Sequence, residues 1–326
     1  MQKLFILIIA GTDLIEEPGI SAAGINHEML KYTAALDSEF IYHGKVLSLD
    51  SLPLSPNKIV SPALISKACL NILGFDILII DSGAHIKPQC PYITAYDKVT
   101  SNIREQDSLP QENIKEIFEN IKKLQLEKYD ELIIAECVVG GTTTALATLE
   151  AMGINAFDKI SSSFPDGNHE LKKQIVNQAL TRTNYDSKNP LDLICKFGDA
   201  MQATVLAISE NYSGSVILAG GTQMLAVKAL NDKYLGHRAN ISIATSPWIT
   251  NDKSADFDAL QQAACPQTNI YSANISEILA DKRLIDEIKK LSANKYCLDE
   301  IIAEYNKGHV KEGVGMGALL YFATKI

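Results

Sequence analysis

Short apolar runs alternate with helical patterns along this chain. Leu4–Ala10, Ile77–Ile80, Leu132–Ala135, Val216–Ala219 and Ile241–Ala244 are almost continuously hydrophobic, as strands covered on both faces are. Between them, Ile114, Ile117, Phe118, Ile121 and Leu124 share one helical face after Gln111. Asn189 before Pro190 reads as a helix start, with the asparagine as cap and the proline in the first turn. Leu193, Ile194, Phe197, Met201, Val205 and Ile208 continue its helical spacing. The alternation predicts an α/β fold: a doubly wound, mainly parallel sheet with right-handed crossovers and helices on both faces.

Three segments interrupt the rhythm. Gly83–Pro110 contains three prolines and few periodic apolar residues, and a loop of that length inside a domain is usually functional. Phe157–His169 carries Ser161-Ser162-Ser163-Phe164-Pro165-Asp166-Gly167, a second loop. From Asn274 the chain is helical and charged, then turns at Glu312–Gly317 into a last apolar helix.

Composition narrows the function. The 326 residues suit about two domains or one large α/β unit. A net charge of −9 argues against nucleic acid or an anionic membrane as partner, while leaving room for a small anionic substrate. The six cysteines show no C-x-x-C spacing and no histidine pattern for zinc. They read as free thiols in a cytoplasmic protein without a metal. Leu4–Ala10 reads as a buried first strand rather than a signal peptide, and no stretch is long enough to span a bilayer.

One motif occurs twice. Gly140-Gly141-Thr142 follows the run ending at Ala135, and Gly220-Gly221-Thr222 follows the run ending at Ala219; each then opens an apolar helical pattern. Strand, Gly-Gly-Thr, helix leaves backbone N–H groups uncovered at a helix N-terminus, where an anion such as phosphate is favoured. The plainer alternative is that the glycines only let the helix pack close to its strand. A third glycine-rich turn, Glu312-Gly313-Val314-Gly315-Met316-Gly317, adds weight to a nucleotide site. A Rossmann dehydrogenase is disfavoured, because no G-x-G-x-x-G opens a helix early in the chain.

Several segments resemble one family. Glu136-Cys137-Val138-Val139-Gly140-Gly141-Thr142-Thr143 resembles the phosphate loop of nicotinate-nucleotide:dimethylbenzimidazole phosphoribosyltransferases, and Lys311-Glu312-Gly313-Val314-Gly315 resembles their C-terminal Glu-Gly-Ser-Gly segment. Pro18-Gly19-Ile20-Ser21-Ala22-Ala23-Gly24, Ser161-Ser162-Ser163-Phe164-Pro165 and Gly220-Gly221-Thr222-Gln223-Met224 are similar to an archaeal and cyanobacterial branch of that superfamily.

The resemblance implies transfer of 5-phosphoribose from nicotinate mononucleotide to an aromatic base, without cofactor or metal, by a homodimer or other homo-oligomer. It also implies a nucleotide-binding α/β domain at 40–273. The chain ends, 1–39 and 274–326, would supply a first strand joining or flanking the sheet and a small helical domain.

By resemblance Glu312 is the general base, and Glu136 hydrogen-bonds ribose hydroxyls. Gly140, Gly141, Thr142, Thr143, Lys172, Gly220, Gly221, Thr222, Gly313 and Gly315 hold substrate or phosphate. Asp81, Ser82 and Gly83 open the region that closes over the acceptor base, with Tyr92, Tyr96 and Arg104 as members of that lid. His169 either joins the anion contacts or caps a helix. Thr142 stands where the classical enzymes carry Asn, and Val314 where they carry Ser or Thr. A non-catalytic nucleotide sensor that kept the phosphate loop remains the competing reading.

Overall fold

Strand β1 (Lys3–Ala10) is buried on both sides from Leu4 onward. Leu4, Ile6 and Ile8 enter one core, and Phe5, Leu7 and Ile9 enter a second core on the opposite face. That is the two-residue alternation of a pleated strand, and burial of both faces makes the sequence run apolar.

The computed structural model describes every residue except Met1, Ile25, Pro53 and Pro56. After β1 come a 3-10 turn (Asp13–Glu16), α1 (His27–His43), α2 (Ala63–Leu73), β2 (Asp76–Ser82), β3 (Ile93–Tyr96) and α3 (Gln111–Ile121). There follow β4 (Glu131–Val138), α4 (Gly141–Ala151), α5 (His169–Arg182), α6 (Pro190–Phe197), α7 (Ala200–Asn211), β5 (Ser215–Ala219) and α8 (Thr222–Leu235). The last third holds β6 (Ile241–Ala244), the short α9 (Pro247–Thr250), α10 (Phe257–Ala264) and β7 (Ile270–Tyr271). Helices α11 (Ile275–Ala280), α12 (Lys282–Leu291), α13 (Leu298–Tyr305) and α14 (Met316–Ala323) complete it.

The seven strands form one parallel sheet in the order β3-β2-β1-β4-β5-β6-β7. Helices α3 to α8 and α10 cover one face; α1, α2 and α11 to α14 cover the other. The α/β fold with helices on both faces read from the sequence is therefore present, with β1 inside the sheet between β2 and β4. The helices from both chain ends share their core with α2. The chain winds outward from β1 to β3, returns past β1, and continues outward from β4. The reversal falls between β1 and β4, and such sheets bind ligands beyond the strand ends at that point.

Two elements differ from the sequence pattern. The helical spacing from Pro190 runs across a break: α6 stops at Phe197 and α7 restarts at Ala200. Asp199 caps the new helix, accepting from the Gln202 amide at 3.0 Å and from the Thr144 hydroxyl at 2.5 Å. Both helices bury residues in the same core, so the periodicity did not register the break. The loop Gly83–Pro110 also contains β3, an edge strand whose Ile93 and Thr94 are exposed. Among the described residues, no helix is long and apolar enough to cross a membrane.

Candidate active site

A cavity of about 190 Å³ opens beyond the C-terminal ends of the central strands. Its walls come from well-separated stretches: Ile20–Ala23 after β1, parts of α1, the segment before α2, the turn after β4, the Ser161–Ser163 loop, Gly221–Gln223 at the start of α8, Ile249, and His309–Val314. Gly140 and Gly221 both line it, so the two Gly-Gly-Thr turns meet at one edge of the sheet.

The first turn is held open by backbone geometry. Gly140 has φ +88°, and a Cβ there would lie 2.5 Å from the Thr12 hydroxyl oxygen. Thr12 is itself fixed, donating to the Val139 carbonyl at 2.8 Å. The amides of Gly141 and Thr142 donate to no group among the described residues. They form the unsatisfied start of α4, the place where a helix attracts an anion. Thr142 faces the cavity; Thr143 is fully buried outside it, and its hydroxyl finds no partner among the described residues.

The second turn is braced from outside. The Gly220 amide donates to Ala244 O at 3.1 Å. Thr222 Oγ1 accepts the Ser161 amide at 3.0 Å, tying α8 to the triple-serine loop. A Cβ on Gly221 would stand 3.7 Å from the Glu312 side chain. Gly221 and Thr222 line the cavity, and Gly220 does not.

Glu312 also faces the cavity, held by three backbone amides: Ser246 at 2.8 Å, Gly313 at 3.1 Å and Gly317 at 3.0 Å. Burial pushes its carboxyl up to about 7, against the lowering effect of those donors. Gly313 lines the cavity beside it, while Gly315 packs beneath, against Ala135 and Phe5. Glu136, at the end of β4, accepts the Val138 amide at 3.0 Å. Burial, with Asp199 and Glu312 nearby, raises it to about 8. The cavity therefore carries less negative charge near neutral pH than its acids suggest, which suits an anionic guest.

Lys172 lies elsewhere. It is fully buried in α5, and its Nζ donates to Ser161 O at 3.1 Å, behind the cavity wall. Burial, then the nearby Lys311, lowers it to about 7. The lysine that lines the cavity is Lys311, paired with Asp252 at 2.9 Å and donating to Ser254 Oγ at 2.8 Å. Asp81, Ser82 and Gly83 are not in the cavity wall. Asp81 instead closes its own turn, accepting the Gly83 and Ala84 amides and pairing with Lys87 at 2.5 Å. Ser82 bonds the Thr204 hydroxyl. Tyr92, Tyr96 and Arg104 are also outside the cavity, with Arg104 paired to Glu17 at 2.6 Å. His169 contacts the Ser254 carbonyl at 2.5 Å.

The sequence reading missed Asp37, Ser61, Cys137 and Gln223 in the walls, as well as Lys311. Lys311 directly precedes Glu312 and was part of the family-like segment. Asp37 left a weaker signal: an acid inside the buried run Ala34–Phe40.

Three comparisons bear on this geometry. Residues 63–218 match the family described as Phosphoribosyltransferase. A UPF0284 protein of Thermococcus gammatolerans is 32% identical over 100% of this chain and 93% of its own length. One from Pyrococcus abyssi is 34% identical over 100% of this chain and 92% of its own. Among solved structures, nicotinate-nucleotide-dimethylbenzimidazole phosphoribosyltransferase from Thermus thermophilus superposes with a TM-score of 0.63 at 14% identity. That match covers 100% of this chain and 82% of the other, and it speaks for the fold. With relatives above 30% identity matched along its whole length, the chain belongs to the family of UPF0284 proteins, and its residues 63–218 match the phosphoribosyltransferase family.

Proposed function

We propose that this protein transfers 5-phosphoribose from nicotinate mononucleotide to a benzimidazole-type base, releasing nicotinate and forming an α-ribotide, as in assembly of the cobalamin lower ligand. One observation carries the reading: a single cavity is lined by Gly140 and Thr142, at the start of α4 where the helix amides are free, and by Glu136 and Glu312. The amides suit the 5′-phosphate. Glu136, at the strand end, suits the ribose hydroxyls.

The chemistry asks little more of the protein. Nicotinate joined through its ring nitrogen is a cationic leaving group, so the C1′–N bond breaks without an acid. The acceptor nitrogen attacks C1′ from the opposite face, and the base then gives up its ring N–H proton. Glu312 takes that proton. Three amides occupy most of its acceptor capacity and hold it in one orientation, while burial keeps it basic near neutral pH. The reaction is placed in the cytoplasm, in keeping with six unpaired cysteines, and in a homo-oligomer.

The test is direct. The protein is incubated with nicotinate mononucleotide and a panel of benzimidazoles and purines, and free nicotinate is measured. Release that depends on an added base supports the transferase; no release with any base removes it. The occupation of Glu312 by three amides favours one second reading, a sensor that binds the mononucleotide without turnover. Tight mononucleotide binding without nicotinate release would select it.

A further inference from the structure

Two acids of α1 stand two residues apart, and the protein treats them differently. Glu39 accepts the Leu47, Ser48 and Gln89 amides and the Ser48 hydroxyl, and these bonds hold its carboxyl below the usual range despite burial. It is a finished structural acid, and it is not part of the cavity wall. Asp37 is as deeply placed, at 3% exposure, and it lines the cavity. Its only partners among the described residues are the Ser61 hydroxyl at 2.7 Å and the Cys137 thiol at 3.6 Å.

A carboxylate has about four acceptor positions, and a thiol is a weak donor. Among the described residues no backbone amide and no cation completes Asp37, whereas Glu39 and Glu312 are completed by amides. Burial raises Asp37 to about 7. Buried polar groups elsewhere in proteins are generally satisfied, so an incompletely paired carboxyl facing a cavity marks the place of a ligand's donor.

Position indicates which part of the ligand. Glu312 sits where the proposed reaction removes a proton. From it the wall runs through Gly313, which abuts Pro62, and Val314, whose amide donates to Glu136 O at 3.3 Å. Ser61 and Asp37 lie further along, beside Pro62 and Cys137. Resting on the transferase reading, we propose that Asp37 and Ser61 select an acceptor base carrying a hydrogen-bond donor, an amino or hydroxyl group, on the edge remote from its reacting nitrogen. A base with only methyl groups on that edge leaves Asp37 desolvated and underpaired. Sites built around such a group reject analogues that lack the donor.

The test uses a near-isosteric pair, 5-hydroxybenzimidazole and 5-methylbenzimidazole, bound to the full chain by calorimetry without mononucleotide. The wild-type protein is expected to bind the hydroxyl compound about ten- to a hundred-fold more tightly. Asp37→Leu is expected to erase the preference, and Asp37→Asn, which keeps an accepting oxygen and the shape, to retain part of it. Nicotinate mononucleotide affinity, measured separately, stays unchanged in both variants if Asp37 reads only the base. Equal binding of the two compounds by wild type overturns the proposal, as does a preference that survives in Asp37→Leu. Because these measurements need no turnover, a wild type that prefers the hydroxyl compound yet never releases nicotinate keeps the Asp37 assignment and removes the transferase reading.

Discussion

The two Gly-Gly-Thr turns begin with the same three residues after adjacent parallel strands, and they do different work. In the first, glycine is demanded by a left-handed backbone at Gly140, and the helix-start amides are left free. In the second, Gly220 and Thr222 are tied to β6 and to the serine loop, and Gly221 packs closely against Ile249. One turn leaves helix-start amides unpaired at the cavity edge; the other is braced by its neighbours. A repeated motif thus reports repeated backbone architecture, while its chemistry is decided by what the neighbouring segments bring.

The comparison is tested most strongly at Glu312. Glu312→Gln is expected to lower nicotinate release by about 10²–10⁴-fold, the usual contribution of a positioned base, with mononucleotide affinity retained at the first turn. The new amide would also turn an N–H₂ toward amides that now donate to the carboxylate, costing about 1–3 kcal/mol of stability. Rates are therefore compared well below the unfolding midpoint. Full activity in a folded Glu312→Gln protein would remove Glu312 from the chemistry.

A smaller effect distinguishes the glycines. Gly140→Ala forces a side chain into a left-handed conformation and against Thr12, and is expected to cost about 1–3 kcal/mol in urea unfolding and to weaken mononucleotide binding. Gly220→Ala has no such backbone requirement, and its nearest contact is the flexible Met224 side chain. A smaller loss is expected there. Equal losses would mean the two turns are structurally interchangeable.

The threonines invert that order. Thr222→Val leaves the Ser161 amide without its acceptor and is expected to cost about 1–3 kcal/mol. Thr142→Val, facing the cavity, should change stability by less than about 0.5 kcal/mol. Its effect should appear as weaker mononucleotide binding.

Much of this architecture was legible in the sequence because β1, β4, β5 and β6 are buried on both faces, which makes their residues uniformly apolar. Strands β3 and β7 were not legible: one is half exposed and the other spans two residues. Glu136, Gly140, Gly141, Thr142 and Glu312 belong to compact local motifs, and such motifs can be read without knowing the tertiary contacts. Asp37 and Ser61 belong to none; they reach the cavity only because α1 and the segment before α2 pack against β4. Lys172 shows the converse limit, since nothing in a helical sequence says that its amine turns to the Ser161 carbonyl.

A further expected effect is a pH slope. Burial raises Asp37 to about 7, Glu136 to about 8 and Glu312 to about 7. A raised acid stabilises the fold fully below its unfolded pKa near 4, and that stability is lost as pH rises through the folded value. His85, lowered to about 4 by burial, works in the opposite sense over part of this range. The difference between wild type and Glu136→Gln isolates the carboxyl: the variant should lose less stability between pH 5 and 8. Parallel melting curves across that range would show that Glu136 keeps an ordinary pKa.

The grip on Glu312 has a consequence for synthesis. Its carboxylate is held from the start of α9 and from the first turn of α14, so its orientation depends on two segments far apart in the sequence. A nascent chain halted before residue 312 already contains all seven strands and both Gly-Gly-Thr turns. It lacks α14, whose Met316, Leu319 and Leu320 are buried in the second core, so one face of the sheet is left partly uncovered. A chain halted there is expected to lack both the proposed proton acceptor and part of the core that supports the cavity.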